Sequence, residues 1–227
     1  ENNFHLKGGI MDQFASVFGQ AGKLMRLDCR SREFEYFPFD PKGYQLVLVN
    51  SKVKHELVGS PYNDRRRSCE NVVAAIAAQF PDRHFETLRD AEWTNLEAVR
   101  DKVSEEDYRR AHYVLGEKAR VLAVCEALNQ GDYETVGQKM YETHDGLSNE
   151  YDVSCEELDF LNDVARECGV TGSRIMGGGF GGCTINLVKE ERYDHFVEEV
   201  TKRFAAKYGH APEVYPVVIS DGSHKVC

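Results

Sequence analysis

Apolar residues recur along the chain with two different spacings, which predict strands near both ends and helices between them. Near the start, residues 11–18 have the spacing of a short helix. Two strand-like runs follow at residues 23–29 and 33–39, and the polar residues 30–32 between them predict a hairpin. A further short apolar strand is predicted over residues 45–49.

The middle of the chain has long stretches of helical spacing. The first helix is predicted to begin with Ser60 as its cap and Pro61 in its first turn, and to end before Pro81. The second is predicted over residues 104–131, and the third from residue 132 to about residue 144.

A further helix is predicted to begin with a capping box, because Ser154 is followed three residues later by Glu157. The remaining elements are a strand, a glycine-rich loop, a second strand, a helix and a final strand, at residues 174–176, 177–182, 183–188, 193–204 and 213–219. Helices in the middle with strands at both ends favour an α+β fold with an antiparallel sheet.

The loop at residues 177–182 is the most unusual segment, because five of its six residues are glycine. Glycines are costly in backbone entropy, so a ligand or another backbone segment has to compensate by packing against the loop. The run lacks the Gly-Lys-Ser/Thr ending of a P-loop, and a strand follows it where the dinucleotide-binding fingerprint would have a helix. The residues alone leave both explanations open: a bound ligand, or a tight strand connection packed under a neighbouring element.

A second candidate site is the stretch GGIMDQF at residues 8–14. Gly9 lets the backbone pass close to a ligand. Asp12 lies just inside a predicted helix start, where the positive end of the helix dipole favours a negative charge, so its carboxylate is suited to accept a proton from a substrate hydroxyl. The alternative is that Asp12 only supports the helix end, a common role for Asp there.

A third candidate lies at the start of the next helix. The hydroxyl of Tyr62 is well placed there to hydrogen-bond a sugar or a carboxylate. The three arginines at residues 65–67 can contact phosphate, but arginines on a helix more often face solvent or pair with acids, which is the interpretation we favour.

Composition excludes several classes of protein. The formal net charge is −10, with the acids spread over helical faces, which argues against nucleic-acid binding. No apolar run approaches the ~20 residues of a membrane span.

Seven scattered cysteines without a CxxC pair favour reduced thiols in the cytoplasm. His144 and Asp145 lack a third ligand at metal spacing, so hydrogen bonding is expected of them and no metal site is predicted.

Four stretches together resemble the galactokinase family of the GHMP small-molecule kinase superfamily. They are GGIMDQF, NSKVKHELVGSPYNDRRRSCE, VSCEELD and RIMGGGFGGC. They occur in the family's own order and extend over nearly the whole chain. Four long matches in order are far more specific than any one of these motifs alone.

The resemblance implies a fold, an activity and a set of site residues. It implies that residues 1–40 are the end of an N-terminal kinase domain and that residues 41–227 are a GHMP kinase C-terminal domain, with an antiparallel sheet packed against helices. The implied reaction is phosphorylation of galactose at its anomeric hydroxyl by ATP, with Asp12 as the catalytic base and Gly9 and Tyr62 beside the sugar. The glycines implied to line the active site are Gly177, Gly178, Gly179, Gly181 and Gly182.

Two family segments have no counterpart in this sequence: an N-terminal stretch that holds the sugar, and the PxGxGLSSSA loop that holds the nucleotide phosphates and Mg²⁺. The resemblance therefore implies that the chain is a C-terminal portion, inactive by itself, and that the main ligands of ATP and Mg²⁺ lie elsewhere. The expected partners are galactose and ATP, without nucleic acid or membrane. A monomer is compatible with the sequence, which does not determine the oligomeric state. A kinase for N-acetylgalactosamine and a non-catalytic sugar-sensing regulator are the alternatives.

Overall fold

Helices and strands follow one another much as the apolar pattern predicts, in a computed structural model that describes residues 9–54 and 61–224, without the side chain of Tyr62. The strands are β1 (Lys23–Leu27), β2 (Phe34–Pro38), β3 (Tyr44–Asn50), β4 (Gly172–Met176), β5 (Cys183–Lys189) and β6 (Glu213–Val217). The helices are α1 (Met11–Phe18), α2 (Tyr62–Gln79), α3 (Trp93–Glu97), α4 (Glu105–Gln130), α5 (Tyr133–Asn149), α6 (Glu156–Glu167) and α7 (Tyr193–Tyr208).

The strands form two separate antiparallel sheets. β1 and β2 make the predicted hairpin, with Leu27 opposite Phe34. The other four strands are ordered β4-β5-β3-β6, so that β3 lies inside the sheet and pairs with β5 on one side and β6 on the other. The predicted α+β fold with an antiparallel sheet is therefore confirmed.

Three apolar clusters hold the helices to the sheets. In the first, α6 and α7 cover β3 and β5 with fully buried residues such as Phe196 and Phe204. The second joins α2 to α3 and α4 around Ile76 and Leu96. The third packs Phe37 and Phe39, from β2 and the residue after it, against α4 and β5. Burial of apolar surface on this scale is the main force that holds such a fold together.

α4 therefore contacts both sheets, and it ties the hairpin to the rest of the structure. Ion pairs also join the hairpin turn to the segment between α2 and α3, among them Arg30 with Asp90 at 2.8 Å. The boundary proposed at residue 40 coincides with the change from one sheet to the other, and it stays a prediction.

The ends of the helices confirm some expectations and correct others. α4 begins as predicted, with the Ser104 hydroxyl accepting from the Asp107 N–H at 3.0 Å, and ends at Gly131 with φ +68°. α5 continues past residue 144 to Asn149. Ser60 lies outside the described residues, and Pro61 directly precedes α2 instead of lying in its first turn.

The capping box predicted at Ser154 is wrong. α6 begins after Cys155, and no side chain caps it. The Ser154 hydroxyl instead donates to the Asp159 carboxylate at 2.5 Å. A charged acceptor makes a stronger hydrogen bond than a neutral one. The expected box does not form because the helix starts one residue later than predicted, so that Cys155 occupies the cap position.

None of the described helices combines the length and the apolar character that a membrane crossing requires.

α5 and β4 approach each other so closely that both carry glycine at the contact. A Cβ added to Gly137 would overlap the carbonyl oxygen of Thr171, and one added to Gly172 would overlap the Cα of Gly137. Both obstacles are backbone atoms, which cannot turn away as the end of a side chain can. This contact fixes the distance between α5 and the four-stranded sheet.

We expect Gly137→Ala to lower the free energy of unfolding by about 1–3 kcal/mol, because the added methyl group forces the helix off the sheet. The matched control is Gly116→Ala in α4, where the three atoms nearest to the added Cβ all belong to the guanidinium of Arg120, at 2.9–3.2 Å, the far end of a flexible side chain. There the better helix propensity of alanine should leave stability unchanged or raise it by up to ~1 kcal/mol. Urea unfolding followed by circular dichroism measures both variants. Equal stabilities would contradict the close-packing explanation.

Candidate active site

The helix that carries Asp12 is held by aromatic packing and by the C-terminal segment. Phe14 and Phe18 lie against Phe34 of the hairpin, with ring centroids 5.1 and 5.2 Å away. The Ser223 N–H donates to the carbonyl of Ser16 at 2.7 Å, which joins the end of the described chain to α1. α1 therefore has a defined place although none of its residues is buried.

Asp12 lies in the first turn of α1 with its side chain exposed. No described residue makes a hydrogen bond or an ion pair with its carboxylate. Gly9 is also exposed, and an added Cβ there would meet no atom within 4 Å among the described residues. Tyr62 is the first residue of α2, but its side chain lies outside the described part of the structure. The roles assigned to these three residues stay predictions.

The glycine run at residues 177–182 forms the loop between β4 and β5, which we call the glycine loop. Gly179 and Gly181 are buried, with φ of +82° and +139°. A Cβ added to Gly179 would overlap the carbonyl oxygen of Val153, and one added to Gly181 would lie 2.7 Å from the carbonyl oxygen of Val53. Packing against other backbone segments therefore explains these two glycines.

The two valine carbonyls also accept hydrogen bonds from the loop. The Phe180 N–H donates to the Val153 carbonyl at 2.6 Å, and the Gly182 N–H donates to the Val53 carbonyl at 3.2 Å. We call these contacts the Val153 clamp and the Val53 clamp. They hold the glycine loop to the segment after β3 and to the segment between α5 and α6.

Each clamp follows a residue with left-handed backbone. Lys52, before Val53, has φ +63°, and Asp152, before Val153, has φ +53°. Phe180 in the loop itself has φ +62°. Residues other than glycine adopt this conformation only where their surroundings fix it, and such positions concentrate at functional sites. The described chain has one further example, Arg32 in the hairpin turn.

The Val53 clamp is supported by polar residues at the end of β3. The buried Ser51 hydroxyl donates to the carbonyl of Gly182 at 2.8 Å and accepts from the Val53 N–H at 3.2 Å. The Asn50 side chain accepts from the Lys52 N–H at 2.9 Å, which stabilises the left-handed turn.

The Val153 clamp is supported by arginines from α2 and α4. Arg65, only 8% exposed, donates through Nε to the carbonyl of Tyr151 at 2.9 Å and through Nη2 to the carbonyl of Asp152. The Asp152 carboxylate accepts from Arg109 at 2.7 Å and lies 3.5 Å from Nη2 of Arg110. These charged groups fix Asp152 in its unusual conformation.

The predicted pairing of the three arginines with acids therefore holds for two of them. Arg66 lies 2.9 Å from Glu70, and Arg67 lies 2.8 Å from Asp64, on the exposed side of α2. For Arg65 the prediction is wrong, because the position faces the buried contact between α2 and the Val153 clamp, where backbone carbonyls are its partners.

The segment after the Val153 clamp is tied to a carboxylate in α6. Asp159 accepts hydrogen bonds from Ser154 at 2.5 Å and Ser148 at 3.0 Å, and it lies 3.2 Å from Nε2 of the buried His144. Burial raises the pKa of Asp159, but hydrogen bonds from His144, Ser154 and Ser148 outweigh it and lower that pKa below its usual value. The expected hydrogen-bonding role of His144 is confirmed.

The start of the glycine loop is open. Gly177 is exposed and Gly178 is half-buried. Within residues 9–54 and 61–224, no acceptor for the N–H groups of Gly177 and Gly178 is found. Neighbouring free N–H groups of this kind form concave sites for anions such as phosphate. The loop therefore has a buried half that is packed and an open half whose N–H groups have no acceptor among the described residues.

The structure thus joins Gly179, Gly181 and Gly182 to two clamps that the sequence did not predict. No described hydrogen bond or ring contact joins α1 to the glycine loop, so the relation of Asp12 to that loop stays a prediction. A signal for the missed residues existed, because Val53 and Val153 each lie within one of the recognised motifs. The partners of the two valines are remote in sequence, and only the fold identifies them.

Comparison with known proteins agrees with this geometry. The family model described as "GHMP kinases C terminal" matches residues 125–206. The human galactokinase is 40% identical over 220 residues, which cover 96% of this chain and 53% of that protein. The galactokinase of Thermotoga maritima is 38% identical over 219 residues, covering 96% of this chain and 59% of that protein. The chain thus spans somewhat more than half the length of these relatives.

A solved structure matches over almost the same extent. The galactokinase of Lactococcus lactis, determined in complex with galactose, superposes with a TM-score of 0.89 at 28% identity. The match covers 97% of this chain and 57% of that one. With these relatives, its four motifs and its antiparallel sheet, the chain belongs to the galactokinase family of the GHMP kinases.

Proposed function

We propose that the whole protein transfers the γ-phosphoryl group of ATP to the anomeric hydroxyl of galactose. The observation that carries this proposal is the 40% identity to a galactokinase across 96% of the chain. The TM-score of 0.89 to a galactokinase that binds galactose supports it independently. Since the chain spans 53% and 59% of two such relatives, the proposal concerns the protein as a whole.

Asp12 is the proposed base. Phosphoryl transfer depends on positioning and charge neutralisation more than on covalent chemistry, so a carboxylate that orients the attacking hydroxyl and takes its proton is the main requirement. The Asp12 side chain is exposed and has no hydrogen-bond partner among the described residues, so its oxygens are open to a substrate hydroxyl. Gly9 and Tyr62 are the proposed neighbours of the sugar.

The glycine loop is the proposed lining on the phosphate side of the site. The open N–H groups of Gly177 and Gly178 suit phosphate oxygens. Gly179, Gly181 and Gly182 would act indirectly, because the two clamps hold them and so set the shape of the open half.

ATP and Mg²⁺ are the implied substrate and metal. In the described part of the chain, no group of three or more His, Cys, Asp or Glu side chains is arranged to hold a metal ion. The described residues thus fit the phosphates of ATP at the glycine loop but do not form a metal site. Because the family's phosphate loop has no counterpart in this sequence, we propose that the main ligands of both lie in other parts of the whole protein.

The cytoplasm is the proposed location. The six cysteines in the described residues are all free thiols, which is typical of proteins in a reducing compartment.

Sugar specificity is tested on the full-length gene product with ATP and a panel of sugars. We expect galactose to be phosphorylated with the highest kcat/KM, at a turnover of roughly 1–100 per second. A higher kcat/KM for N-acetylgalactosamine would replace the proposed substrate. Sugar binding without any phosphorylation would indicate a regulator instead of an enzyme.

Replacement of Asp12 by Asn in the full-length protein should lower kcat by about 10²–10⁴-fold, because the proton acceptor is lost. Stability should change little, since no described residue makes a hydrogen bond or an ion pair with this carboxylate. The matched control is Asp64→Asn, an acid in the first turn of α2 whose carboxylate pairs with Arg67. Near-normal turnover in a folded Asp12→Asn protein would contradict the assignment.

The polypeptide of residues 1–227 by itself should not phosphorylate galactose and should bind ATP weakly, because the segments expected to hold the nucleotide are not part of it. Isothermal calorimetry with ATP and a coupled assay for ADP measure the two properties. Turnover near the roughly 1–100 per second of typical kinases would overturn this expectation.

A further inference from the structure

We propose that Arg65 is a positioning residue for phosphoryl transfer: it holds the Val153 clamp against the glycine loop and thereby fixes the conformation of the loop's open half. The inference rests on the proposed function, since it assigns the glycine loop a place in the active site. Arg65 itself is not proposed to contact the sugar or the nucleotide.

A single side chain contacts the segments on both sides of the Val153 clamp. Nε and Nη2 of Arg65 donate to the carbonyls of Tyr151 and Asp152, which directly precede Val153. The same guanidinium lies over the ring of Phe180, 5.4 Å from its centroid. Phe180 is the residue whose N–H donates to Val153. Arg65 therefore bridges the two segments at the point where they meet.

The chemistry of the contact requires arginine. Two successive carbonyls and an aromatic face are bound at once, which the planar fork of a guanidinium permits. The compact ammonium of lysine cannot reproduce this arrangement. At 8% exposure the cation has little water to replace lost partners, so the protein groups must supply its hydrogen bonds.

The clamp depends on such support because both of its sides have strained backbone. Asp152 has φ +53° and Phe180 has φ +62°, and conformations of this kind persist only when surrounding contacts fix them. The Asp152 carboxylate is fixed from the other side by Arg109 at 2.7 Å. On the Phe180 side, the guanidinium of Arg65 is the described charge that packs against the ring.

The Val53 clamp offers an internal control. Its supports are Asn50 and Ser51, at the end of β3, and no described contact joins them to Arg65. Although Phe180 and Gly182 are only two residues apart, the Phe180 N–H reports on the Val153 clamp and the Gly182 N–H reports on the Val53 clamp. A general loosening of the fold would affect both, whereas the loss of Arg65 should affect only the first.

The test uses the full-length protein with Arg65→Lys, and Arg66→Lys as the matched control from the exposed side of the same helix. Hydrogen–deuterium exchange, resolved to single amides by fragmentation in the mass spectrometer, is measured at Phe180 and Gly182. Steady-state kinetics give kcat and KM for galactose and ATP. Circular dichroism checks that each variant is folded.

For Arg65→Lys we expect the exchange rate of the Phe180 N–H to rise about tenfold or more, because hydrogen bonds from a charged group to the clamp are lost. The exchange rate of the Gly182 N–H should stay within about twofold of its value in the unaltered protein. We expect kcat to fall by about tenfold or more with the KM for galactose unchanged, since small displacements of a positioning group reduce turnover. Arg66→Lys should match the unaltered protein in every measurement. If Arg65→Lys does not fold, Phe180→Leu removes the ring contact and should give the same pattern more weakly.

Three results would overturn the proposal. The first is unchanged exchange at Phe180, the second an equal rise at Phe180 and Gly182, and the third a rise at Phe180 with normal kcat. Failure of the proposed function would look different: the unaltered protein would then phosphorylate no sugar, and the exchange measurement alone would still decide whether Arg65 maintains the clamp.

Discussion

Two backbone carbonyls, those of Val53 and Val153, lie so close to the glycine loop that a Cβ added at Gly179 or Gly181 would collide with one of them. This close contact restricts both the residues of the loop and the backbone conformation of the segments that pack against it. The loop must lack side chains at Gly179 and Gly181, and each valine must follow a residue in the left-handed region. β3, the α5–α6 connection and α2 are all positioned so that these segments meet.

The same contact divides the glycine loop into a packed half and an open half. The packed half is stabilised by hydrogen bonds to other backbone segments and by buried polar side chains such as Ser51. In the open half, the N–H groups of Gly177 and Gly178 have no acceptor among the described residues, and an added Cβ at Gly177 would meet no described atom within 4 Å. A rigid base under an exposed row of donors suits a site that recognises phosphate by position, since such donors need no reorganisation when charge develops.

The helix of Asp12 is held in a different way. Its aromatic residues pack on the hairpin, and its backbone is joined to the C-terminal segment through Ser16 and Ser223. The hairpin is in turn packed on α4, which also contacts the helices around Ile76. Apolar contacts thus hold the helix of Asp12 in place, while the carboxylate itself is exposed among the described residues. An anchored backbone with an open side chain is compatible with the role proposed for Asp12.

The sequence by itself determined most of the elements, the antiparallel α+β class, the family and the candidate residues, because apolar spacing, helix caps and motifs are local signals along the chain. It missed the short helix α3. It left open why the glycine run exists, and it misassigned Ser154 as a helix cap and Arg65 as a solvent-facing ion-pair residue. Two of those properties depend on partners far away in sequence: Val53 for Gly181, and the carbonyls of residues 151 and 152 for Arg65. For Ser154 the partner is the nearby Asp159, but the exact start of the helix is set by packing. Only the tertiary structure decides which backbone carbonyl or charged group lies beside a given side chain. In the unfolded chain many such groups are possible partners, and none is preferred.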